Sequence, residues 1–91
     1  MEKGQPITYH PNNFKKGWSV LLYNDSRHAF PTVIKALMHI GYSPLAAKIL
    51  AFAINDRGME VIKNTGENVH EARIIESFMR ANRFQVEIMH H

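Results

Sequence analysis

The 91-residue chain has no cysteine, which excludes disulfide staples, thiolate nucleophiles and cysteine-held metal centres. No apolar run approaches the ~18 residues that cross a bilayer. Met1–Gly17 mixes charges and prolines without the apolar stretch of a signal peptide. An intracellular, cytoplasmic protein that makes no membrane contact is therefore expected. Histidine is plentiful, yet His10, His28, His39 and His70 fall in separate segments and His90-His91 end the chain. Neither His-x-x-x-His nor His-Glu-x-x-His occurs, so no metal site is expected. A glycine-rich phosphate loop is also missing, and Asp56 and Glu60 have no nucleophile near them in sequence. With no cofactor motif and no catalytic pairing, the residues point to binding, not to an enzyme. Clustered charge is lacking too. The net +3 is spread from Lys3 to Arg83, and only Lys15-Lys16 are adjacent. Nucleic-acid binders carry a basic stripe interleaved with aromatics, so nucleic acid is not an expected partner.

What is present suits one small soluble domain, with 45% hydrophobic and 21% charged residues. Gly4, Pro6, Pro11, Asn12, Asn13 and Gly17 interrupt any periodicity, so residues 1–17 read as a flexible extension ahead of a domain at 18–89. Trp18–Tyr23 is apolar almost throughout, the pattern of a central strand buried on both faces. It ends in Asn24-Asp25-Ser26, residues whose side chains bond nearby backbone and favour turns. Three polar groups thus stand where a strand's carboxyl end meets a helix, with apolar residues on either side. That is either the lip of a pocket with an apolar floor or a turn with no ligand.

Pro31 suits the first turn of a helix whose stripe is Val33, Ile34, Leu37 and Met38 and which stops at Gly41. Ser43-Pro44 restarts a helix to about Asp56 that is apolar nearly all round, with Lys48 its one internal charge. Such a helix needs cover on more than one side, and burial within the domain is expected. Gly58 turns the chain into a short strand, Met59–Lys63, and Thr65 is the expected cap of a third helix running to about Ala81. Phe84, Val86 and Ile88 alternate with polar or flexible residues as a last strand with one covered face. The order is β-α-α-β-α-β. The expected fold is α+β, a three-stranded antiparallel sheet packed against three helices.

The run Val-Leu-Leu-Tyr-Asn24-Asp25, with His28 and Phe30 opening a helix, resembles the ClpS family of adaptor proteins. So does the apolar helix that closes in Arg57-Gly58 before a short strand and a glutamate-bearing helix. The likeness runs from Trp18 to about Ile88. It implies an adaptor that recognises proteins by a bulky hydrophobic first residue (Leu, Phe, Tyr or Trp) and delivers them to a ClpA- or ClpC-type AAA+ unfoldase. By position, the amine-holding groups fall on Asn24, Ser26 and Asn55. The family commonly has an acidic residue where this chain has Ser26, and a histidine where it has Asn55. A carboxylate would make bonds to an ammonium charge-assisted and roughly twice as strong, and Asp25 could restore that field by turning inward. The side-chain pocket would be lined by His28, Phe30, Val33, Ala51, Ile54 and Phe84. The resemblance places unfoldase contact on Asn68, Glu71 and Arg73 of the third helix. A second reading stays open beside the adaptor: a divergent interaction module that keeps the fold and has lost or altered the amine site. The same layout also resembles the C-terminal domain of the ribosomal stalk protein, so the fold alone does not decide.

Overall fold

A continuous apolar run such as Trp18–Tyr23 needs cover on both faces, and Ser19 and Leu21 on one face are as buried as Val20 and Leu22 on the other. In the computed structural model, which describes residues 16–91, the elements are β1 (Trp18–Tyr23), α1 (Phe30–His39), α2 (Pro44–Arg57), β2 (Met59–Gly66), α3 (Val69–Ala81) and β3 (Val86–His90). The sheet order is β2-β1-β3 with both pairings antiparallel. The domain is α+β, as its periodicities require. The expected extension falls mostly on residues 1–15, outside the described residues. Gly17 already belongs to the sheet's ladder, exchanging backbone hydrogen bonds with His91.

Alternation along the strands sends Val20, Leu22, Ile62 and Val86 to one face, where they meet Leu37 of α1, Leu50 and Ile54 of α2, and Ala72 and Met79 of α3. Glu60 lies opposite Leu22 on this same face, fully buried, with Arg57 Nε 3.6 Å from its Oε2. Ser43 caps α2 by accepting from the Ala46 amide at 3.2 Å. Gly58, at φ 94°, ends it by donating to the Ile54 carbonyl.

Gly17 is required where it stands. Its φ is +110°, and a Cβ there would lie 2.4 Å from the Gly66 carbonyl oxygen. Gly17→Ala is expected to cost about 2 kcal/mol or more, read as a lower urea midpoint at unchanged slope.

Four local expectations need correction. β2 continues to Gly66, because residues 64–66 go on pairing with Ser19 and Trp18 through irregular register. Thr65 therefore stays in the strand, and Asn68 caps α3, its Oδ1 accepting from the Glu71 amide at 3.0 Å. β3 begins at Val86, since the Phe84 amide is spent on the Met79 carbonyl that closes α3. Finally, α2 is not covered all round. Ala47, Leu50, Ala51 and Ile54 are buried, but Leu45, Ile49 and Phe52 are 68%, 49% and 51% exposed. Three helices in one layer give α2 a sheet beneath and α1 beside it, and no other described element packs on its outer side.

Candidate functional site at the end of the central strand

The β1–β2 ladder, which pairs Tyr23 with Met59, assembles the site and is extended there by one backbone hydrogen bond. The Asn24 amide donates to the Gly58 carbonyl at 2.8 Å, which ties the turn after β1 to the end of α2. Residues 24 and 55, far apart in sequence, are brought to the rim of one cleft. Leu22, Tyr23, Asn24, Asp25, His28, Phe30, Val33, Ala51, Ile54 and Asn55 line it. Its floor is apolar and its lip polar. Among the described residues, the side chains of Asn24, Ser26 and Asn55 make no hydrogen bond. Asn24 and Asn55 therefore offer open amide oxygens over the apolar floor. Each can accept from a donor that enters.

Eight of the ten residues proposed for substrate contact line this cleft; Ser26 and Phe84 do not. Ser26 is exposed in the turn. Phe84 is buried behind the wall, stacked on the His28 ring at 3.9 Å with planes 16° apart. His28 Nε2 lies 3.0 Å from the Asn82 carbonyl oxygen and so must donate to it. These contacts fix the imidazole as a wall of the cleft.

Asp25 turns inward, but its charge is already engaged. Its Oδ1 accepts from the Arg27 amide at 2.8 Å, and its Oδ2 is 3.1 Å from Arg27 Nη2 and 3.3 Å from His28 Nδ1. Arg27, which the sequence reading passed over, thus decides what Asp25 can do. Bonds from the Arg27 guanidinium and amide hold the Asp25 carboxyl down at about 2 against an ordinary 3.8. A lowered carboxyl contributes to stability above its ordinary value and loses that contribution as pH falls through about 2. A carboxyl-carbon NMR titration should place Asp25 near 2, and Arg27→Ala should return it toward 3.8.

The cleft is narrow, about 30 Å³, small beside the ~150 Å³ of an apolar cavity that admits benzene. Phe30 closes one side. Its ring packs edge-on against Phe52 at a centroid distance of 4.7 Å and 70° between planes. Leu22 and Tyr23 were not anticipated as lining. Their place at the strand's end, next to the polar turn, was the available signal.

Asn68, Glu71 and Arg73 sit at the start of α3, beside the Trp18 end of β1 that pairs with Gly66. That is the far end of β1 from the cleft, about 15 Å away along the strand. The Asn68 amide oxygen is used as the helix cap, and Arg73 is exposed with Nη1 3.8 Å from Glu76 Oε1.

This arrangement has no group of three or more metal-ligating side chains among the described residues. In none of their helices is there an apolar span long enough to cross a membrane. A scan of family models matches residues 13–87 to ClpS, described as the ATP-dependent Clp protease adaptor protein. The chain belongs to the ClpS family. No curated protein matches it. ClpS proteins are adaptors of the Clp protease, so the open rim and apolar floor belong to a domain whose work is to bind other proteins.

Proposed function

We propose that this ClpS domain recognises proteins by a free, bulky hydrophobic first residue and delivers them to a ClpA- or ClpC-type unfoldase. The supporting observation is the pair of open acceptors, Asn24 and Asn55, standing over an apolar floor made by Leu22, Val33, Ala51 and Ile54. An α-ammonium needs acceptors, and a Leu, Phe, Tyr or Trp side chain needs an apolar cavity beneath them. The space of about 30 Å³ does not hold such a side chain as it stands. Binding requires the cleft to widen at its walls, of which Phe30 is one. Unfoldase contact is proposed for Arg73, Glu71 and Asn68, on a surface separate from the cleft.

The rival reading, a module that has lost the amine site, draws on Asp25. Its carboxylate is neutralised by Arg27, and Ser26 supplies no charge in its place. A titration with peptides differing only in their first residue separates the two. The adaptor reading expects binding with Leu, Phe, Tyr or Trp first and none with Gly or Asp first. Equal behaviour of all the peptides would sink it. Ser26→Asp should tighten binding by about 1 kcal/mol, a several-fold gain, because it adds a carboxylate in the exposed turn next to Asn24 and Asp25, from where it can reach an ammonium at the lip. Unchanged affinity in calorimetry would remove position 26 from the amine site.

A further inference from the structure

We propose that the exposed ridge Leu45–Ile49–Phe52 on α2 is a second subsite, taking apolar side chains at the second to fourth positions of the bound peptide. This rests on the reading of the cleft as an amino-terminal pocket. Spacings of four and three put the three side chains on one stripe of the helix. They are the large apolar residues of α2 that stand exposed, about half or more of each uncovered among the described residues, with Lys48 exposed beside them.

Three features select a peptide as the occupant. The first is continuity: the Phe52 ring rests against Phe30, which lines the cleft, so the ridge begins at the pocket's lip. The second is size. The stripe is about 10 Å long at 1.5 Å per helical residue, the length of about three extended peptide residues. It offers on the order of 300 Å² of apolar surface, typical of a functional patch but well short of the roughly 800 Å² each partner contributes to a stable dimer. The third is charge. Asp56, exposed one turn beyond Phe52, stands beside Asn55 at the end where the peptide's ammonium would lie. This polarity directs the rest of the peptide toward Leu45.

The test is calorimetry on the full chain with peptides that begin Leu-Leu or Leu-Gly and are otherwise identical. The wild type should bind the Leu-Leu peptide roughly fivefold more tightly, from partial burial of one leucine. The double variant Leu45→Ser with Ile49→Ser should bind both equally, at the affinity of the Leu-Gly peptide. Ile49→Gln alone, which keeps a helix-forming residue, should lose part of the preference and serves if the double variant unfolds. Wild-type indifference to the second residue overturns the subsite and leaves the cleft reading standing. So does an undiminished preference in the variants. Failure of every peptide, whatever its first residue, overturns both. A concentration-dependent dimer abolished by the double variant would assign the ridge to a second copy. Displaced Ile7 and Phe14 resonances in that variant would assign it to the chain's own first residues. Either result replaces the peptide.

Discussion

Replacing Arg57 with alanine is expected to lower the unfolding free energy by about 3 kcal/mol, although Arg57 is a partly exposed residue at a helix end. The reason is Glu60. Its side chain is fully covered on the helical face of the sheet, among residues that are otherwise apolar, and the Arg57 guanidinium lies 3.6 Å away. Removing the cation leaves a buried carboxylate with less to offset its lost hydration, and breaking one side of such a pair costs far more than replacing both. Arg57 also stands in the last turn of α2, where a cation favours the helix dipole, a smaller contribution of the same sign. Glu60→Gln in the Arg57→Ala background should recover most of the loss. Urea unfolding of the four proteins in this cycle measures the coupling between the two sites. A coupling near zero would mean that other groups hold the Glu60 carboxylate.

Acetylating the first residue of a Leu-first peptide is expected to abolish its binding. The floor of the cleft is indifferent to the change, since the leucine side chain is unaltered. The lip is not. Asn24 and Asn55 can each present an amide oxygen to an ammonium, and acetylation removes both the charge and two of its three donors. It also adds an acetyl group at a rim already tied down by the Asn24–Gly58 backbone bond. Hydrogen bonds to a charged group contribute about 1.5–3 kcal/mol each, so losing those of two exposed asparagines is enough for a drop of a hundredfold or more. Fluorescence anisotropy with free and acetylated forms of one labelled peptide reads this directly.

Much of this fold was legible because its cues are local. The apolar run of β1 required a central strand, Ser43-Pro44 and Gly58 bracketed α2, and alternation after Phe84 marked β3. The errors came where a neighbour overrode the local cue. Thr65 looked like a cap until pairing with β1 carried β2 through it and left Asn68 to cap α3. The apolar circumference of α2 suggested full burial, but layer number is a property of the whole domain, and among the described residues no second layer covers Leu45, Ile49 and Phe52. The cleft residues on the turn and on α2 could be named by resemblance. Their meeting depends on the register of β1 against β2 and on the Asn24–Gly58 bond that continues it, which no spacing reveals. Nor did composition show that Arg27 would fold back onto Asp25, since adjacency in a turn does not fix side-chain direction.

The central claim is that the end of β1, and not the surface of α3, takes the first residue of a substrate. Amide and methyl NMR spectra of the full chain, titrated with a Leu-first peptide bearing a free amine, test it most directly. Resonances of Asn24, Ala51, Ile54 and Asn55 are expected to move together and saturate together, while those of Asn68, Glu71 and Arg73 stay in place. Shifts confined to α3, or no shift at the cleft at saturating peptide, would contradict it.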